Sequence, residues 1–178
     1  MFWTRIILSL AEFGLSCLLA VFVVYWSYKS FEKINPEFDA EKEIYKGNVA
    51  IATLMAALMY SSALIMRESI YPVISILTVA LTSEGEGYSW TSLILYSLGH
   101  LVFGFLLAVG CVQFAMKFFA VLNREIDETA EIRKGNTAVA VIMGAVIVIV
   151  ALFMQQGVSS LTKSLIPQPK LGGLRTIE

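Results

Sequence analysis

Twice the chain reads Glu-Ile-x-Lys-Gly-Asn-x-Ala, first as Glu43-Ile44-Tyr45-Lys46-Gly47-Asn48-Val49-Ala50 and again as Glu131-Ile132-Arg133-Lys134-Gly135-Asn136-Thr137-Ala138. The offset between the copies is 88 residues (131 − 43). The same offset pairs nearly half of the positions between Leu18 and Ala57 with identical residues. The identical pairs include charged residues, asparagines and glycines. A membrane-like composition shared by both halves does not explain these matches. The sequence therefore predicts two copies of one structural unit.

The composition is typical of a membrane protein. Hydrophobic residues make up 57% of the 178 residues and charged residues 15%, whereas soluble domains average about 45–50% and about 25%. Four apolar runs match the roughly 17–25 residues that a spanning helix needs, and they cover residues 6–27, 48–66, 92–116 and 137–154. The net charge of −1 provides no basic surface for nucleic acid.

These runs predict an all-α integral membrane protein with four transmembrane helices, built from two helix–connector–helix repeats in parallel orientation. Residues 1–81 form the first repeat with an interfacial segment, and residues 82–91 form an acidic, glycine-containing loop. Residues 92–166 form the second repeat with its own interfacial segment, and residues 167–178 form a polar tail. Within the first repeat, residues 69–81 contain Pro72 and are too few to cross the bilayer alone. We expect this segment to be interfacial or re-entrant, with an additional span as the alternative.

The distribution of Lys and Arg predicts the orientation. The connectors, at residues 28–47 and 117–136, carry eight basic residues, against five on the opposite side. By the positive-inside rule the connectors are cytoplasmic and both termini are periplasmic.

The Gly-Asn pairs stand where each connector meets the next span. Gly47 and Gly135 permit a sharp change of direction. Asn48 and Asn136 are suited to cap the incoming helix or to hydrogen-bond across helices. Helix N-termini also attract anions, but we favour capping and packing over ligand binding.

Small residues follow each pair. Ala52 and Ala56 in the first copy, and Ala140 and Gly144 in the second, have the four-residue spacing that lets membrane helices approach closely. The second and fourth spans are therefore predicted to pack together, within one chain or between protomers.

Four connector carboxylates recur at matched positions: Asp39 and Glu43, then Asp127 and Glu131. If the connectors converge, four hard oxygen ligands would suit Ca²⁺ or Mg²⁺. The favoured interpretation is a solvated charged helix with Glu–Lys pairs three residues apart, and we predict no resident metal and no cofactor.

Two ionisable residues lie inside predicted spans, Glu12 and His100, and the 88-residue register makes them equivalent. Ionisable groups within a membrane are costly and indicate function. A carboxylate beside an imidazole is able to relay protons, so the two are predicted to form an intramembrane polar pair. The alternative is that each reaches a nearby interface or a serine hydroxyl.

The chain contains one His, no paired nucleophile and base, no phosphate-binding loop and no metal-binding Cys/His spacing. We therefore do not expect an enzyme.

The duplicated E-I-x-K-G-N-x-A-x-A signature, within a unit of two helices and a connector, resembles the YjfL-like family of bacterial inner-membrane proteins, known as domain of unknown function 350. The resemblance covers about residues 9–154. It implies a location in the bacterial inner membrane and a duplicated two-helix fold, and it transfers no catalytic or ligand-binding residue.

Two functions remain open at this point. The first is an oligomeric assembly in the lipid bilayer that conducts or translocates ions or protons. The second is a non-conducting membrane scaffold whose charged connectors dock a cytoplasmic or membrane partner protein.

Overall fold

The computed structural model describes residues 2–34, 36, 39–82, 89–123 and 127–164. Within these ranges the ordered elements are all helical. They are α1 (Phe2–Ile34), α2 (Ala40–Tyr45), α3 (Val49–Met66), a 3₁₀ turn (Arg67–Ser69), α4 (Ile70–Thr82), α5 (Trp90–Leu122), α6 (Glu128–Arg133) and α7 (Thr137–Ser164).

Four of the described helical stretches are long and apolar enough to cross a membrane: Arg5–Lys33, Val49–Thr78, Thr91–Leu122 and Thr137–Ser164. The prediction of an all-α protein with four membrane helices is confirmed. The helices α1, α5 and α7 are each longer than the apolar run that predicted them, because helical hydrogen bonding continues through the charged and aromatic residues at the ends of a span.

The helix α3 is the centre of the bundle. In its most apolar stretch 56% of the residues are buried, against 28% in α5 and in α7 and 11% in α1. Its most extensive contact is with α7, and α5 and α1 pack on it next. The main core accordingly combines α3 side chains with side chains from α5, α6 and α7, and its largest fully buried members are Ile51, Leu54, Met55, Leu58, Ile132 and Ile147.

The predicted close packing of the second and fourth spans is confirmed within one chain. A Cβ atom built on Gly144 of α7 would lie 3.1 Å from the Cβ of Ala57 on α3. Ala57 is thus the residue that faces Gly144. Ala56, which has the four-residue spacing from Ala52, is exposed and does not make this contact.

The segment predicted to be interfacial or re-entrant is a helix, α4, and only the 3₁₀ turn separates it from α3. Pro72 near its start has no N–H to donate to the carbonyl of residue 68, which is consistent with a local departure from α-helical geometry. The helix packs on α5 and α1, and the ring of Tyr71 lies 5.3 Å from Lys163 Nζ of α7.

In the second copy, α7 continues to Ser164 where a separate interfacial segment was predicted. Most of the predicted acidic loop and the whole 167–178 tail lie outside the described residues.

The 3₁₀ turn fits against α5 because α5 has a glycine at that level. A Cβ atom on Gly104 would lie 1.7 Å from Ser69 Oγ and 2.9 Å from Ser69 Cβ. Ser69 is completely buried, so its side chain has no room to move away from a methyl group added at Gly104. This contact fixes where the end of α3 meets α5.

We predict that Gly104→Ala destabilises the protein by about 1–3 kcal/mol, the usual cost of an oversized side chain in a packed core. The free energy of unfolding is measured by SDS titration in mixed micelles. Gly110→Ala, on the same helix and with no atom within 4 Å of its new Cβ, is the matched control and should not destabilise. The double variant Ser69→Gly/Gly104→Ala should recover most of the loss; no recovery would show that the clash is not the cause.

Candidate functional site

Both Gly-Asn pairs end one helix and begin the next. Gly47 and Gly135 have positive φ angles of 82° and 89°. In the first copy Gly47 N–H donates to Ile44 O at 2.9 Å, and Asn48 N–H donates to Glu43 O at 2.9 Å. The second copy repeats both bonds at 3.0 Å. This is the Schellman arrangement, in which glycine supplies the left-handed residue that closes a helix.

The two asparagines then cap the following helices. Asn48 Oδ1 accepts a hydrogen bond from Ile51 N–H at 3.2 Å, and Asn136 Oδ1 accepts one from Val139 N–H at 3.4 Å. The predicted capping role is therefore seen in both copies. At each copy of the signature, one helix therefore ends and the next begins within a single tight turn, with no further linker between them.

The side-chain amides of the two asparagines differ in their partners. Asn48 Nδ2 donates across the bundle to Ile132 O and Arg133 O, both at 3.2 Å, at the end of α6. Both amides also donate to the glutamate of their own connector, Asn48 Nδ2 to Glu43 Oε2 at 3.4 Å and Asn136 Nδ2 to Glu131 Oε2 at 2.9 Å. Asn48 thus ties the first unit to the second, and the matching bond in the other direction is not made among the described residues.

The four connector carboxylates are occupied by local interactions. Asp39 accepts from Lys42 N–H at 3.1 Å and Asp127 accepts from Ala130 N–H at 3.0 Å, so both are N-caps of short helices. The ion pairs Glu43–Lys46 and Glu131–Lys134 span 2.6 and 2.8 Å. No group of three or more His, Cys, Asp or Glu side chains in the described ranges is placed to hold a metal ion.

These contacts shift the titration of the connector glutamates. The pKa of Glu43 is lowered by hydrogen bonds from Lys46 and then Asn48, and the pKa of Glu131 is lowered by hydrogen bonds from Asn136 and then Lys134. The same pair raises the pKa of Lys134. A carboxyl with a lowered pKa stabilises the folded state in full at pH values above its ordinary pKa of 4.5, and this stabilisation is lost as the pH falls through the lowered pKa.

His100 is buried, with only 6% of its surface exposed. Its Nδ1 lies 2.8 Å from the carbonyl oxygen of Tyr96 one turn earlier. A carbonyl only accepts, so Nδ1 carries the hydrogen and Nε2 of the neutral ring has a free lone pair. Nε2 is itself buried and has no hydrogen-bond partner among the residues that the structure describes, so the ring retains an unused proton-accepting atom inside the bundle.

Glu12 lies on the exposed surface of α1, and no hydrogen bond or ion pair joins it to His100 in the part of the chain that the structure describes. The stagger of the two helices explains this. Phe22 and Trp26 of α1 pack edge-to-face against Phe105 of α5, with ring centroids 5.5 and 6.2 Å from that of Phe105, whereas an 88-residue register would bring Cys17 to that level. Glu12 is therefore displaced along the bundle from His100.

A second polar cluster, not identified from the sequence, lies where α3 meets α7. Glu68 Oε1 accepts a hydrogen bond from Gln155 Nε2 at 2.7 Å and lies 3.4 Å from Arg67 Nε. The predicted second span ends at residue 66, directly before Arg67 and Glu68, and no role was predicted for these two residues from the sequence. The repeat register held a usable signal, because it aligns these two residues with Gln155 and Gln156, the polar pair in α7.

We predict that Asn48→Ser destabilises the protein by about 1 kcal/mol more than Asn136→Ser does. Serine caps a helix about as well as asparagine, so each substitution keeps the cap and removes the amide. Only Asn48→Ser removes bonds between the two units, and a typical hydrogen bond contributes about 0.5–1.5 kcal/mol. Unfolding free energies in mixed micelles provide the comparison. Equal losses in the two variants would show that the bond to α6 contributes nothing.

The chain was compared with known proteins at the level of families, curated proteins and solved structures. The family model described as Domain of Unknown Function (DUF350) matches residues 1–158. Neither a curated protein nor a solved structure matches the chain. Since the match spans most of the chain and includes both copies of the Gly-Asn signature, the chain belongs to the DUF350 family.

Proposed function

We propose that this multi-pass membrane protein resides in the bacterial cytoplasmic membrane and translocates protons or another small ion as a homo-oligomer. In this arrangement the connectors face the cytoplasm and both termini face the periplasm. The protein contributes a polar route through the membrane and catalyses no chemical reaction.

The buried His100 carries this proposal. Leaving a buried polar atom without a hydrogen bond costs about 1–3 kcal/mol, and ionisable groups within membrane helices are commonly retained for transport. In the described part of the chain the buried hydroxyls of Ser69 and Ser61 also have no hydrogen-bond partner. A proton or a water molecule that visits Nε2 would satisfy it only transiently, which is the behaviour that a relay requires.

The packing of a single chain is the reason for proposing an oligomer. The centre of a single bundle is filled by aliphatic side chains of α3, which excludes a wide pore along that axis. Meanwhile α1 is mostly exposed and presents large apolar side chains outward, among them Phe13, Leu18 and Val21. A route through the membrane would therefore form between copies of the chain, with α1 as part of the contact.

The experiment is proton flux into liposomes that contain the purified oligomer, followed with an internal pH-sensitive dye. We predict that His100→Ala removes most of the flux. Gln113→Ala, a polar-to-apolar change on the same helix, is the matched control and should retain it.

The oligomeric state of each sample is verified before reconstitution. Absence of flux from an intact wild-type oligomer, tested with protons and then with alkali cations, would contradict translocation. Flux that persists in His100→Ala would contradict the role of the histidine.

A docking role for the connectors is the second candidate, and the observation that favours it is the exposure of Tyr45. This side chain is 94% exposed at the end of α2, beside the partly exposed Ile44, outside the membrane spans. Exposed aromatic side chains are frequent anchors of protein interfaces.

A photoreactive residue placed at position 45 should cross-link one defined partner protein, and the same residue at position 60 is the control. Labelling of lipid alone from position 45 would reject docking.

A further inference from the structure

The 3₁₀ turn Arg67–Ser69 lies toward the end of the bundle opposite the connectors. At about 1.5 Å per residue, Asn48 and Glu68 are about 30 Å apart along the helix, close to the thickness of a hydrocarbon core. Aromatic residues typical of a bilayer interface are exposed on the same side of the connectors, namely Trp3, Tyr71 and Tyr96. The long, exposed side chain of Arg67 is therefore able to extend to the level of lipid headgroups.

A polar cleft opens on the α7 side of the turn. Its volume is about 520 Å³, and its polar lining consists of Glu68, Gln155, Gln156 and Ser159. Leu152 and Phe153 complete the wall and are exposed on the outer surface of α7. The cleft combines one carboxylate with neutral oxygen acceptors, which is a suitable environment for a cation that donates hydrogen bonds.

An apolar groove lies on the α1 side of the same turn. It has a volume of about 410 Å³ and runs between α1 and α3, with Arg67 among its lining residues. The remaining walls are largely aliphatic and include Leu19, Val23, Leu64 and Ile70. A hydrocarbon chain would bury apolar surface along this groove while Arg67 meets the polar group that follows it.

The two charges of the turn are incompletely paired with each other. Only Nε of Arg67 approaches Glu68, at 3.4 Å, while the Arg67 side chain is 61% exposed and that of Glu68 is 18% exposed. Among the described residues the terminal Nη groups of Arg67 have no hydrogen-bond partner. The guanidinium therefore retains donors for a phosphate. The Glu68 carboxylate accepts hydrogen bonds from Gln155 and Ser159, and because a carboxylate has about four lone-pair sites it retains acceptor capacity for a cation.

We propose that the turn binds a phospholipid whose headgroup contains a phosphate and a primary ammonium, as in phosphatidylethanolamine. The phosphate lies on Arg67, the ammonium lies in the cleft on Glu68 with the Gln156 and Ser159 oxygens nearby, and one acyl chain follows the apolar groove. This site is independent of ion translocation.

The charge and hydrogen-bonding pattern distinguish this lipid from others. An anionic headgroup without an ammonium would still meet Arg67, but it would place no positive charge beside the Glu68 carboxylate. A choline headgroup carries a positive charge but no N–H donor, so it would leave the cleft oxygens without hydrogen bonds. Both charged residues of the turn are used only when the headgroup is zwitterionic and has N–H donors.

The test is native mass spectrometry of the full-length protein in detergent, titrated separately with phosphatidylethanolamine, phosphatidylcholine and phosphatidylglycerol of identical acyl chains. We expect the wild type to bind phosphatidylethanolamine at least about tenfold more tightly than the other two, since hydrogen bonds to charged groups contribute about 1.5–3 kcal/mol and 1.4 kcal/mol is tenfold. Glu68→Gln should abolish this preference, and Arg67→Gln should weaken the binding of all three lipids. Glu32→Gln changes a glutamate that pairs with Lys29 on α1 and should alter nothing.

The wild-type titration decides the matter even if a variant fails to fold. Equal binding of the three lipids would overturn the proposal, as would an undiminished preference in folded Glu68→Gln. Water-soluble phosphoethanolamine is titrated in parallel; if it binds as tightly as the lipid, the site serves a soluble amine and the lipid assignment fails.

Discussion

The close approach of α3 and α7 is the constraint on which the rest of the structure depends. At Gly144 the backbone of α7 comes so near to Ala57 that an added Cβ would be at the limit of contact. Such proximity lets small residues replace the hydrophobic driving force that is missing between helices in lipid. With this pair fixed, α3 becomes the most buried helix, and α1 and α5 pack against its remaining faces.

Polar contacts secure both ends of this helix pair. At the connector end, Asn48 reaches the final carbonyls of α6, which leads directly into α7. At the opposite end, Glu68 accepts a hydrogen bond from Gln155 of α7. The apolar middle of the pair provides close packing, and the two ends fix its register. The candidate functional groups, His100 and the Arg67–Glu68 turn, lie toward the end opposite the connectors.

Much of this architecture was predictable from local chemistry. The positive-φ glycine and capping asparagine were expected because few other residues make those turns, and the four spans were expected because length and apolarity are set by the bilayer.

The 88-residue register was less reliable for predicting which residues are in contact. It made Glu12 and His100 equivalent, but equivalence in sequence does not fix the stagger between α1 and α5, which the Phe22–Phe105 packing determines. Likewise, adjacent alanines at positions 56 and 57 point in different directions, and composition alone did not select the one that meets Gly144. Glu68 was passed over because a charged residue at a span end is ordinary, and its partner Gln155 lies 87 residues away.

Disulfide cross-linking between α3 and α7 tests the central claim most directly. Cysteines are placed at Ala57 and Gly144 in a chain whose native Cys17 and Cys111 are replaced by alanine, and the membranes are treated with a mild oxidant. The account predicts a rapid bond within one chain, because the Cβ separation of 3.1 Å needs only a small adjustment to the roughly 3.5–4.5 Å of a disulfide, whereas the pair at Ala56 and Gly144 should react slowly. A bond that forms only between chains, or equal reactivity of the two pairs, would contradict it.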